Sequence, residues 1–216
     1  MPTPAALALS RPPLMLLRMG QPEVEVERLS DELAVWHRYD SSIKAELFST
    51  ALATESGVVL VDPIEVDDAT LRTVCGERSI RALAITNENH LRDSAQLAAR
   101  FDVPVFAHAS AGVRGANDLA ELPELTAIAI QGAPLGEVAL HSPRAGGTLI
   151  IGDALINFGP HEFAFLPAKY CVNANRMRKS LRQLLDLSFD RICFAHGTPI
   201  TVRAKNRLLA LLDSRS

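Results

Sequence analysis

The chain lacks the features that announce several large classes of protein. Its 216 residues hold three cysteines, Cys75, Cys171 and Cys193, an odd number with no short paired spacing. That argues against a disulfide framework and against a cysteine zinc site, and it fits a reducing compartment, so a cytoplasmic location is expected. Long apolar runs are missing as well. Arg11, Pro12, Pro13 and Arg18 interrupt the candidate stretch near the start, whereas crossing a bilayer takes roughly 20 apolar residues. Met1 to Ser10 has no basic residue ahead of it, and Arg-Pro-Pro follows where a small-residue cleavage site would stand, so neither a membrane partner nor a secretory signal is expected. An excess of one charge is absent too: a formal net charge of −3 sets up no broad field for nucleic acid. No Gly-x-Ser-x-Gly elbow, glycine-rich phosphate loop or cysteine with a neighbouring base points to nucleophilic or nucleotide chemistry.

What is present suffices for one folded domain, with 48% hydrophobic and 22% charged residues. Residues 1 to about 20 read as an N-terminal extension, a candidate for disorder, and residues 21 to 216 as the domain. Val24 to Thr54 is rich in β-branched and aromatic residues with a turn at Asp40-Ser41-Ser42, which predicts antiparallel strands. Val58 to Val61 is a short apolar run closed by Asp62-Pro63, the pattern of a buried strand. A short helix over 67–74, a strand over 81–86, a helix over 90–101 with the stripe Leu91, Ala95, Ala98 and Phe101, and a strand over 103–107 follow. The polar stretch Thr86-Asn87-Glu88-Asn89-His90 falls where strand gives way to helix, a favoured place for a site. Strands over 125–130, 137–141 and 148–151 read as a meander. A helical stripe at Met177, Leu181, Leu184 and Leu185, a strand over 191–195 and a helix over 202–212 complete the chain.

The order of Asp62 after a strand, a polar strand-to-helix loop, Gly152-Asp153 after a later strand and Ala195-His196-Gly197 after another resembles the metallo-β-lactamase superfamily, over about residues 24 to 216. The resemblance implies an α/β fold, a four-layer αββα sandwich, with a metal site, usually dinuclear, on loops at one edge of two sheets. It also implies a Thr-His-x-His-x-Asp-His loop and a Gly-His hairpin. Here the loop reads Thr86-Asn87-Glu88-Asn89-His90-Leu91-Arg92 and the hairpin Gly132-Ala133, so Asn87, Asn89, Leu91, Arg92 and Ala133 stand where the family has five ligands. A register shifted by one residue would put Glu88, His90, Arg92 and Asp93 on the ligand positions instead.

Those replacements bear on the chemistry directly. A catalytic zinc needs about three imidazole or carboxylate donors and one open position. An asparagine offers only a weak carbonyl oxygen, and Arg92 brings a permanent positive charge. No dinuclear metal site is expected, and no metal is the leading expectation. The chain then keeps a pocket, lined by Asp62, Asn87, Glu88, Asn89, His90, Arg92, Asp93, Asp153 and His196, for a small molecule or a protein partner. In that case Asp153 and His196 form a carboxylate–imidazole hydrogen bond between loops. The alternative is a metal-dependent hydrolase with a reduced site on Asp153 and His196, completed by Glu88, His90 or Asp93, holding one divalent ion: zinc, manganese or iron. A third possibility is metal-free acid–base work by His90 and Asp153. His90 itself reads equally as a general base or as a helix-start residue facing water. Asp62 reads as a carboxylate that sets its loop, and Cys193 as inert core. His37, His108, His141 and His161 have no partner at ligand spacing.

Overall fold

The computed structural model describes residues 24–158 and 163–214. The expected N-terminal extension and His161 lie outside those residues.

The first half of the chain builds one sheet. Strands β1 (Glu25–Arg28), β2 (Leu33–Asp40) and β3 (Ala45–Ala53) form an antiparallel ribbon, with the β2–β3 turn where Asp40-Ser41-Ser42 predicts it. The Asp40 carboxylate accepts from Ser42 N at 2.8 Å, the self-bonding that suits Asp to turns. Strand β4 (Val58–Val61) pairs antiparallel with β3 and parallel with β5 (Ile80–Ile85) across helix α1 (Asp68–Cys75). Asp67 caps α1 by accepting from Thr70 N. Helix α2 (Ser94–Phe101) leads to β6 (Val105–Ala107), which pairs with β5, and short β7 (Asn117–Asp118) closes this sheet at seven strands.

The second half builds a four-stranded sheet. Strands β8 (Thr126–Ala129), β9 (Val138–Ser142) and β10 (Thr148–Ile151) run as an antiparallel meander. After the small β11 (Leu155–Asn157) and β12 (Phe163–Phe165) ribbon and helix α3 (Ala174–Leu181), strand β13 (Arg191–Phe194) adds parallel to β10, and α4 (Ala204–Asp213) ends the fold.

Alternation along the strands explains the layering. Val35, Val59, Val61, Ala82 and Ala84 of the first sheet pack against Val138, Leu140, Ile150 and Cys193 of the second. The alternate residues Trp36, Leu60 and Leu83 face α1 and α2, which contribute Leu71, Val74 and Leu97. Leu149, Ile151, Ile192 and Phe194 face α3 and α4, meeting Met177, Leu181, Leu208 and Leu212. The result is a four-layer αββα sandwich, with the strands up to Asp118 and those of β8, β9, β10 and β13 in different sheets. Each fully buried Leu or Ile contributes about 1.5–3 kcal/mol, so the sheets form a rigid base for the loops between them.

The stripe expected on the second helix is corrected. Leu91 is exposed and precedes α2, Ala95 is exposed, and the inner face is Ser94 and Leu97, with Ala98 and Phe101 packed beside them. The helix begins four residues later than expected because Glu88–His90 is a separate 3-10 turn and Arg92 takes a φ of 41° between the two. That break resets which residues face inward.

Candidate metal centre

Two parallel strand pairs end at the same edge of the sandwich. Strands β4 and β5 deliver Asp62 and Thr86-Asn87, and strands β10 and β13 deliver Gly152-Asp153 and Ala195-His196. The loops are stitched across the two sheets by Val138 N to Thr86 O at 2.9 Å and Phe48 N to Ala195 O at 3.0 Å. Trp36 Nε1 donates to Ile64 O at 3.1 Å and fixes the segment after Asp62.

Asp62 is buried, with a φ of 47°, a left-handed conformation that costs an L-residue about 1 kcal/mol or more. The conformation turns its carboxylate onto the next loop. Oδ1 accepts from Thr86 N at 2.8 Å and Oδ2 from the Thr86 hydroxyl at 2.5 Å. Asp62 thus orders a neighbouring loop. In the 3-10 turn, Asn87 accepts from Asn89 N at 2.8 Å and swings His90 inward. His90 is 2% exposed, which overturns its reading as a water-facing helix-start residue. Its Nδ1 lies 2.8 Å from Thr86 Oγ1 and 3.0 Å from Asp62 Oδ2. That neighbourhood assigns the proton to Nδ1 when the ring is neutral and leaves the Nε2 lone pair free. Nε2 is buried without a hydrogen-bond partner.

The two oxygens of Asp153 face different surroundings. Oδ1 lies 3.3 Å from His90 Nε2 and 3.5 Å from His196 Nε2. Oδ2 accepts from Asn87 Nδ2 at 3.1 Å and Asn89 Nδ2 at 3.2 Å. His196 Nδ1 lies 3.1 Å from the Glu46 carbonyl, which again fixes the proton on Nδ1 and aims Nε2 at the site. The expected Asp153–His196 hydrogen bond between loops is replaced by this wider approach. Gly152 permits the crowding here: a Cβ on it would sit 2.5 Å from Thr86 Oγ1 and 2.7 Å from Glu137 Oε2.

Glu137, which the sequence reading passed over, is the buried floor of the site. Its carboxylate accepts from Asp153 N at 3.1 Å, Ala154 N at 3.0 Å and Asn87 Nδ2 at 2.6 Å. The available signal was an acidic residue heading the otherwise apolar strand Val138 to Leu140 directly after Gly136. Burial, and the Asp153 charge beside it, push the Glu137 carboxyl up to about 7. Burial opposes the charge on Asp62 and Asp153, yet the His90 ring holds both carboxyls below the usual range. For His90, burial lowers the pKa but the two aspartates outweigh it and raise it to about 9. His196 is half-buried, and partial burial together with the neighbouring His90 pushes it down to about 4.

Arg92 occupies no ion position. Its guanidinium donates to Phe48 O at 2.5 Å, Asp62 O at 2.8 Å and Ala195 O at 3.1 Å, bridging the two sheets behind the site. A cavity of about 840 Å³ opens over the centre, reached by Asn89, His90, Arg92, Asp93, Asp153 and His196. Of the other residues expected to line it, Asp62 and Asn87 lie buried beneath and Glu88 points away, accepting from Leu135 N at 3.3 Å. Leu91 and Ala133 donate nothing to the centre, and Asp93 is engaged by Glu65 N at 2.7 Å. Lys169 stacks over Tyr170 at 4.6 Å and Arg176 bonds Gln131 at 2.7 Å.

His90, Asp153 and His196 each offer one donor atom, all within 4.8 Å of one another. Donors about 2.1 Å from a tetrahedral ion are about 3.4 Å apart, which matches the 3.3 and 3.5 Å separations from Asp153. With His90 Nε2 otherwise unpartnered, the donor set fits one divalent cation with an open position.

Comparison with solved structures gives the fold. DIM-1 metallo-β-lactamase superposes with a TM-score of 0.70 at 12% identity, covering 90% of this chain and 99% of that one. A metallo-β-lactamase from Erythrobacter litoralis, in a mono-zinc form, gives 0.61 at 17% identity over 89% and 97% of the two chains. One from Pontibacter korlensis gives 0.63 at 15% over 88% and 99%. The chain therefore has the metallo-β-lactamase fold. No protein-family model and no curated protein sequence matches it.

Proposed function

We propose that this chain is a hydrolase of the metallo-β-lactamase fold that works with one divalent cation, zinc foremost, held by His90, Asp153 and His196. The observation that carries this reading is the convergence of three donors with His90 Nε2 buried and otherwise unpartnered. A bound ion would supply Lewis acidity, polarising a carbonyl or phosphoryl oxygen and lowering the pKa of water. The protein's own part is orientation. Asp62 and Thr86 hold the His90 ring, the Glu46 carbonyl holds the His196 ring, and such partners raise ligand basicity and set ring angle. Asn87 and Asn89 fix the Asp153 carboxylate through its other oxygen, and the buried floor on Glu137 excludes water from below. Hydrolysis, as distinct from cation binding, is inferred from the fold and so rests on analogy.

The test is metal content per chain after purification without chelator and incubation with zinc, manganese or iron, for wild type and for D153A/H196A. About one ion in the wild type and none in the double variant is the expected result. No ion above background would remove the reading.

One observation favours a second reading, a metal-free pocket for a small molecule or protein. A protonated His90, 3.0 Å from Asp62 and 3.3 Å from Asp153, satisfies both carboxylates without an ion. Metal content separates the two readings.

A further inference from the structure

The cavity has a second wall that the chemistry above does not use. Besides the polar residues, Ile43, Phe158 and Tyr170 line it at 57%, 49% and 58% exposure. They come from three separate segments: the β2–β3 turn, the residue after β11, and the 3-10 turn before α3. Single exposed apolar residues are ordinary on a protein surface. Three large ones around one opening, continuous with Leu47, Ile64 and Ile156 deeper in the same cavity, form an apolar lining of the kind that receives a ligand.

The charges around the cavity narrow the class. Arg38 is paired with Asp93 at 3.4 Å and also donates to Glu65 O. Arg92 is spent on three backbone carbonyls. Asp40 adds a carboxylate at the rim, and Asp62 and Glu137 lie beneath the floor. His90, when protonated, lies between Asp62 at 3.0 Å and Asp153 at 3.3 Å, so among the described residues lining the cavity every cation is already paired, and the surrounding acids oppose a carboxylate or phosphate.

From these features we infer that the ligand of this cavity is an uncharged acyl compound, an ester, amide or lactone, carrying an apolar chain or an equivalent ring. Its carbonyl lies toward His90 and His196 and its apolar part against Ile43, Phe158 and Tyr170. The carbonyl placement rests on the hydrolase reading; the apolar, uncharged character does not.

The test is therefore made first on the metal-free full-length chain, where a carboxylate has no ion to coordinate. Affinities for octanamide, acetamide and octanoate are compared by calorimetry. Octanamide is expected to bind at least about ten-fold tighter than either of the others, because added methylenes enter the apolar wall and the negative surroundings reject the anion. In I43S and F158S, whose exposed positions leave the fold intact as checked by circular dichroism, the preference for octanamide over acetamide falls at least about three-fold. Equal binding of octanamide and acetamide, or tighter binding of octanoate, would overturn the inference. The zinc-loaded chain is then assayed on p-nitrophenyl acetate and octanoate, with kcat/KM expected to rise at least ten-fold with chain length. Absence of any turnover alongside the expected amide affinities would overturn the hydrolase reading and leave the ligand class standing.

Discussion

The two oxygens of one carboxylate divide this centre into unlike halves. On the Oδ2 side of Asp153 two asparagine amides donate at 3.1 and 3.2 Å, and every polar group is satisfied by the protein itself. On the Oδ1 side two imidazole nitrogens stand back at 3.3 and 3.5 Å with room between them. An amide N–H puts only a partial positive charge on an oxygen that a cation would otherwise neutralise, but it needs no external ion. One half is thus closed by neutral donors and the other is left for a full charge. The difference teaches that a neutral side chain can fill the space beside a carboxylate without an ion, since Asn87 offers a donor where an imidazole would offer a lone pair.

Removing the shared carboxylate breaks both halves at once. D153A is expected to lose the ion completely, and any hydrolytic activity by about a thousand-fold or more, as read by metal analysis and single-substrate kinetics. The bridge behind both halves comes next. R92A strips three buried carbonyls of their donor, and urea denaturation should show a loss of about 4 kcal/mol, with R92K recovering only part of it because an ammonium cannot span the fork.

The imidazole side also makes a pH prediction for the metal-free chain. His90 has a folded pKa of about 9, above its ordinary value, so its contribution is complete below about pH 6.5 and is lost as pH rises through 9. That amounts to about 3 kcal/mol. Glu137, raised to about 7, loses its contribution between about pH 4.5 and 7. His196, lowered to about 4, gains over nearly the same interval and offsets it. Stability measured by denaturant should therefore be nearly flat from pH 5 to 6.5 and fall by about 3 kcal/mol toward pH 9. Saturating zinc should flatten that fall, because the ion holds His90 in its neutral form. The amide side should respond least. N89A removes one exposed donor, costs about 1 kcal/mol or less by thermal denaturation and leaves metal content unchanged.

Much of the architecture was legible because the central strands are short apolar runs that end in polar loops. Asp62 stood out at a strand end, while Asp153, His196 and the four-layer fold came with the metallo-β-lactamase resemblance that their order carries. The loop from Thr86 to Arg92 was less legible, since a residue-by-residue register assumes that the backbone keeps its course. Here a 3-10 turn at Glu88–His90 and a positive φ at Arg92 rotate successive side chains by unequal amounts. His90 consequently enters the centre and Arg92 leaves it, although Arg92 stands where the family has a ligand. Asn87 and Asn89 read as losses, and their role as donors to Asp153 depends on a carboxylate 66 and 64 residues away, respectively. Glu137 belongs to no motif and becomes visible only once Gly152 is seen to let two loops touch.

The Arg92 bridge also says when the centre comes into being. Its guanidinium joins Phe48 in the first sheet to Ala195 in the second, and the Ala195 contact closes 103 residues of chain. Closing so long a loop is entropically slow, and such contacts form once the sheets have docked rather than before. Convergence of His90, Asp153 and His196 is then a late event in folding. Their arrangement is complete only when the final strand has arrived.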